Sequence, residues 1–156
     1  MDLPRTIKRH TDKIKAVMAD PSLDEDQKYR ATKRIIAMID FHTALRDATM
    51  CQQKAYDVQE RAEESGPEAK DEFDKGIRRS VFEECLPHQR NLSTRFWQVS
   101  KLYIFAPWGE VGMSERFTRL ATLCVYGGIA MPLLYLTLQV EVLKAELNEA
   151  RANKRS

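Results

Sequence analysis

Apolar positions recur along most of this chain at helical spacing, and alternating β-branched runs are missing, so the pattern predicts an all-α fold of extended amphipathic helices. Ile7, Ile14, Val17 and Met18 fall on one side of a first short helix. Asp2-Leu3-Pro4 is its predicted entry, with proline in the first turn where a missing N–H costs nothing. Ala19-Asp20-Pro21 is its predicted end, because the residue before a proline tends to leave the helical region. Residues 1–21 thus form an N-terminal amphipathic helix.

Residues 22–90 read as a long polar helical arm. "SLDE", Ser22 to Glu25, fits a capping box, and neither Gly nor Pro interrupts Leu23 to Ser65. One continuous helix there would reach roughly 65 Å. Its expected stripe runs through Tyr29, Ile35, Ile36, Ile39, Leu45, Ala48, Ala55 and Tyr56, and it thins after Cys51. So polar a helix needs partners along its length. "SGPE", Ser65 to Glu68, reads as a second capping box. The next helix carries Phe73, Ile77, Val81 and Cys85 four residues apart and is expected to stop at Leu86-Pro87. Leu92, Phe96, Val99 and Tyr103 begin a further stripe. It lies in an aromatic-rich interfacial segment, 91–118, where Phe96, Trp97, Tyr103, Phe105 and Trp108 crowd into 13 residues.

The pattern then changes. Between Arg119 and Glu141, in "RLATLCVYGGIAMPLLYLTLQVE", 21 positions carry no formal charge. A hydrocarbon slab about 30 Å thick is crossed by roughly 20 helical residues. The nine Leu, Ile and Val residues of this run favour insertion by about 4 kcal/mol in sum, before Gly127, Gly128, Pro132 and Gln139 subtract from it. The competing prediction, a helix buried in a soluble bundle, would need partners with wider apolar stripes than this chain offers. Mid-helix glycines and proline are also tolerated more readily in membrane spans. The expectation is a transmembrane helix over 119–141, followed by a charged helical tail, 142–156.

Two sets of residues stand out around that span. Cys124 and Gly128 form a small-xxx-small pair with Gly127 adjoining, a spacing that lets a second helix approach closely. Pro132 lacks the N–H that Gly128's carbonyl would accept and should bend the helix there. Together these four predict a helix-packing notch. Arg95, Trp97, Lys101, Trp108, Arg116 and Arg119 interleave cations with indole rings upstream. They are candidate contacts for anionic lipid such as cardiolipin. Basic residues flank the run three against four, which sets no orientation.

Composition narrows the function classes. A net charge of +2 excludes a strongly basic nucleic-acid binder. Cys51, Cys85 and Cys124 are distant in sequence and odd in number, which points to reduced thiols. The opening "MDLPRTIKRH" lacks the apolar core of a secretory signal, and Asp2 and Asp12 depart from an acid-free presequence, so targeting is expected to be internal or removed. His10, His42 and His88 have no partner at metal-ligand spacing, and no P-loop, dinucleotide fingerprint or Cys-x-x-Cys is present. The acidic run Glu68 to Asp74 follows a solvated helix face rather than a calcium loop. Asn91-Leu92-Ser93 matches a glycosylation acceptor, relevant only on a luminal side.

The sequence therefore predicts no enzyme, cofactor or metal. It predicts a non-catalytic accessory subunit with one span, bracing other subunits of a large inner mitochondrial membrane complex of the respiratory-chain or ATP-synthase kind. Its partners would be those subunits and membrane lipids. The alternative is a membrane-anchored tether whose arm binds partners as a coiled coil, although the stripe keeps no strict heptad.

Overall fold

A computed structural model of the protein describes residues 3–107 and 109–154, leaving aside the side chains of residues 3, 4 and 152. Among them the fold is all-α, with no strand. The elements are α1 (Leu3–Ala19), α2 (Glu25–Glu64), α3 (Pro67–Glu72), α4 (Arg78–Glu83), α5 (Leu86–Ile104), α6 (Met113–Val125) and α7 (Met131–Asn153). π-helical turns at Phe73–Ile77 and Tyr126–Ala130 join α3 to α4 and α6 to α7. The chain divides into two compact units, residues 1–46 with 92–129 and residues 47–91 with 130–156.

The first helix ends at Ala19, as the Asp20-Pro21 pair implies, while Asp2 lies outside the described residues. The cap of α2 falls two residues later than expected. Asp24 Oδ1 accepts the Gln27 N–H at 2.7 Å, and Gln27 Oε1 accepts the Asp24 N–H at 3.0 Å. Ser22 is engaged elsewhere: its hydroxyl donates to Asp20 Oδ1 at 2.6 Å within the Pro21 turn. The 40 residues of α2 then run uninterrupted. Its buried positions are Arg34, Met38, Phe41, Ala44, Ala48, Gln52 and Ala55, whereas the expected Tyr29 and Ile36 are exposed. The small alanines among them allow close approach, and that choice carried little hydrophobic signal.

In the first unit, Phe41 is fully buried and lies edge-on to Tyr126 at 5.6 Å, with Phe96 at 6.1 Å. Leu92, Val99 and Tyr103 of α5 are buried as the stripe predicts. The loop before α6 turns at Gly109, whose φ of 98° suits a residue without Cβ. Two arginines of α2 grip that loop. Arg30 Nε donates to Glu110 Oε1 at 2.8 Å and Arg34 Nη1 to Oε2 at 3.1 Å.

In the second unit the core gathers Ala55, Phe73, Phe82, Cys85 and Leu138. Tyr56 meets Phe82 edge to face at 5.4 Å. "SGPE" does not cap α3: Gly66 is the N-cap, at φ 111°, and the Ser65 hydroxyl instead donates back to the Arg61 carbonyl. Proline does occupy the first turn. The π turn at Phe73–Ile77 inserts extra backbone per turn. Of the expected stripe, Phe73 and Cys85 are buried and Val81 packs against the core, but beside the π turn Ile77 is exposed, and Arg78 and Phe82 turn inward. Pro87 opens α5 rather than ending the preceding helix, sitting where no donor is needed.

Candidate functional site

The predicted span lies in an unbroken helical stretch, Met113–Arg151, long and apolar enough to cross a membrane. A soluble core helix would be mostly buried, but only 6% of its most apolar 18-residue window is. In the first unit Arg116 and Leu123 face inward, while Phe117, Val125 and Ile129 are exposed. In the second, Leu138, Glu141 and Ala145 are buried, whereas Leu133, Leu136, Val140, Leu143 and Leu147 stand open. Each unit thus covers one narrow face of the helix and leaves a broad apolar one.

The notch residues divide between these faces. A Cβ added at Gly127 would lie 2.4 Å from the Phe96 ring, so this glycine serves packing inside the chain. At Gly128 nothing stands within 4 Å of such a Cβ. Cys124, Gly128 and Pro132, four residues apart, are all exposed. The π turn at Tyr126–Ala130 directly precedes Pro132. It is the local adjustment by which a helix absorbs a missing N–H.

Polar groups meet the apolar run at its covered face. Gln52 is 4% exposed, and its amide donates to the Leu134 carbonyl and the Thr137 hydroxyl, both at 2.9 Å. Glu141 closes the run. Its Oε1 accepts from Lys144 Nζ at 2.7 Å, and its Oε2 lies 3.3 Å from Arg78 Nη2 without an aligned hydrogen bond. Arg78 also reaches Asp74 at 3.3 Å. None of these distant partners had a signal in the sequence, because they are separated by 60 residues or more and share no motif.

Five of the six candidate lipid contacts lie among the described residues. Trp97 and Lys101 are exposed on α5. Arg95 pairs with Asp40 at 3.1 Å and with Gln98 at the same distance. Arg116 is buried and donates to the carbonyls of Ala106 and Pro107 at 2.9 and 3.0 Å, which makes it a lock on the loop before α6. Arg119 has Glu115 as a loose partner at 3.8 Å. Trp108 lies outside the described residues. Exposed Ile104 and Phe105, at the end of α5, extend the apolar surface beyond the residues singled out from sequence.

The first unit also contains a cavity of about 370 Å³, lined by His10, Lys13, Arg34, Tyr103, Glu110 and Arg119 among others. His10 Nδ1 sits 2.7 Å from the Thr6 carbonyl, which assigns the proton to that nitrogen, and its ring meets His42 at 5.9 Å. Burial, then the charges of His10 and Arg119, push the His42 pKa below its ordinary value. Hydrogen bonding from Arg30 and Arg34 holds Glu110 below the usual carboxylate range. Among the described residues no three His, Cys, Asp or Glu side chains gather as metal ligands. Asn91, the acceptor of the glycosylation tripeptide, is exposed but lies within α5 rather than on a loop.

The class defined by these observations is an all-α protein bearing one exposed apolar helix of membrane-spanning length. No protein-family model, curated protein or solved structure matches the chain.

Proposed function

We propose that the chain is a non-catalytic accessory subunit of a membrane-embedded complex, anchored through Leu120–Val140 and bracing its neighbours. One observation carries the reading: the apolar run is covered on a narrow face and exposed on the rest. Burying an exposed Leu or Val side chain is worth roughly 1.5–3 kcal/mol. A surface of this extent is therefore stable only against lipid or another protein.

Lipid alone does not fit every side. Asp40 and Arg95, about two-fifths exposed, stand beside Phe41 and Phe96, which pack on Tyr126 and Gly127 at the apolar run. Half-exposed charges at that position need water or a polar protein surface. Hydrocarbon then meets only the outer face, which favours a place at the edge of an assembly over an isolated anchor. The open Cys124–Gly128–Pro132 face offers close approach to a neighbouring span. The tether reading has less to stand on, because α2 buries Met38, Phe41, Ala44 and Ala48 within its own chain. The membrane we propose is the inner mitochondrial one and the assembly a respiratory or ATP-synthase complex.

Extraction in mild detergent tests this directly. The chain should co-purify at fixed stoichiometry with one large complex, and Gly128→Leu, which adds bulk to open space within the chain, should reduce that yield several-fold. Unchanged assembly of the variant refutes the notch. A stable, detergent-free monomer in buffer refutes the whole proposal.

A further inference from the structure

Four helices of the first unit, α1, α2, α5 and α6, meet around the cavity of about 370 Å³, a volume in the range of small-molecule pockets. Its wall has two characters. Val17, Leu23, Ile35, Met38 and Val111 make an apolar side, while Lys13, Tyr103 and Arg119 bring hydrogen-bond donors. Tyr103 is 4% exposed, and its hydroxyl has no hydrogen-bond partner among the described residues. Burial pushes its pKa up, which keeps the proton on the oxygen as a donor. A hydroxyl so far from bulk water is costly to leave unpaired, and an acceptor inside the cavity would satisfy it. We propose that this cavity binds one single-chain fatty acid, its carboxylate held by Lys13, Tyr103 and Arg119 and its chain against the apolar side.

Charge selects the head group. Both arginines of α2 are committed to Glu110, Arg30 at 2.8 Å and Arg34 at 3.1 Å. Arg119 meets Glu115 only loosely, at 3.8 Å, and that glutamate is 54% exposed. Lys13, half-buried, has no ion-pair partner among the described residues and is the cation left over. One unmatched positive charge beside a neutral hydroxyl donor calls for a monoanion such as a carboxylate. A phosphate monoester would bring nearly two negative charges. Size selects the tail, since the cavity admits one short chain and not the two of a phospholipid. Arg119 is also the last charge before the apolar run, so these donors lie where an acid dissolved in a bilayer holds its carboxylate. The cavity belongs to one unit of the chain, so the inference goes beyond the accessory-subunit reading and stands apart from which complex is braced.

The full chain is reconstituted in phosphatidylcholine nanodiscs and labelled with decanoic acid carrying a photoreactive diazirine on its chain. Digestion and mass spectrometry then map the label. It is expected on peptides bearing Val17, Leu23, Ile35 or Met38. Unlabelled decanoate should compete about tenfold better than decanol, which has the chain without the charge. Lys13→Ala should weaken that competition about tenfold, with Lys13→Arg restoring it, and Tyr103→Phe should weaken it roughly fivefold. Tyr103→Phe retains the buried ring, so its result holds even where loss of Lys13 disturbs α1. Decanol competing as well as decanoate overturns the proposal, as does decyl phosphate competing tenfold better. So does undiminished competition in both Lys13→Ala and Tyr103→Phe, or label confined to the exposed apolar residues of 133–147.

Discussion

Glu110 and Glu141 are each gripped by arginine, one in each unit, but with different alignment. Glu110 belongs to a loop, accepts from Arg30 and Arg34 in good geometry, and has a partner whose side chain is 42% exposed. Glu141 belongs to the end of the apolar helix. It is 7% exposed at the side chain, and its arginine is nearly as buried, with Nε unpartnered. Each carboxylate has one buried arginine and one cation about half exposed, Arg30 at 42% and Lys144 at 50%. The difference therefore lies in alignment: both arginines hydrogen-bond Glu110, whereas Arg78 meets Glu141 without a hydrogen bond. The first grip is a modest fastening, and loss of a member of the second leaves a buried charge with a single partner, Lys144 for Glu141 or Asp74 for Arg78.

Breaking the second grip should produce the largest effect. Arg78→Met keeps the length of the side chain but leaves Glu141 buried with Lys144 as its remaining cation. A loss of about 1–3 kcal/mol is expected in denaturant unfolding of the detergent-solubilised chain, because Lys144 still pairs with the carboxylate. Restoration by adding Glu141→Gln would confirm the under-partnered charge as the cause. A loss under 1 kcal/mol would show that the pair is dispensable.

The first grip should yield less. Glu110→Gln is expected to cost about 1 kcal/mol by the same measurement, and its acid dependence has a definite sign. The folded carboxyl titrates below its unfolded value near 4.5, so its contribution is complete above that pH. It fades as pH falls through the lower folded value. Glu110→Gln should flatten that part of the stability profile and leave the response to Arg78→Met in place.

The smallest effect belongs to His42. Its folded pKa lies below the ordinary 6.5, so the unfolded chain takes up the proton first. Stability is then full above about pH 6.5 and declines as pH falls toward the folded value. His42→Phe should remove that decline, less than about 1 kcal/mol between pH 7.5 and 5.5, without altering the response to Arg78→Met. A decline that persists in the variant would assign it elsewhere.

What the sequence could convey follows the same division between local and distant interactions. The apolar run was legible because length and absence of charge are properties of one segment. The reach of α2 was legible because no Gly or Pro interrupts it. Its buried stripe was legible only in part: Ala48 and Ala55 lie in it as expected, but Met38, Phe41 and Ala44 were missed, and the buried Arg34 and Gln52 carry no apolar signal. Phe82 was missed because a 3.6-residue period cannot anticipate the π turn at Phe73–Ile77 that brings it inward. The Arg30–Glu110 and Arg78–Glu141 pairs, 80 and 63 positions apart, leave no trace in any local pattern. At the candidate notch, sequence spacing could not separate Gly127, under Phe96, from Gly128, in the open.

That separation bears on how the apolar helix keeps its backbone intact. The turn from Tyr126 to Ala130 is where its ladder is loosest, and Pro132 withholds a donor from the same place. Hydrocarbon offers nothing to a peptide group left wanting. Phe96 lays its ring over Gly127 within this turn, so the chain's own aromatic roof sits where the helix is least able to face a solvent that cannot bond to it.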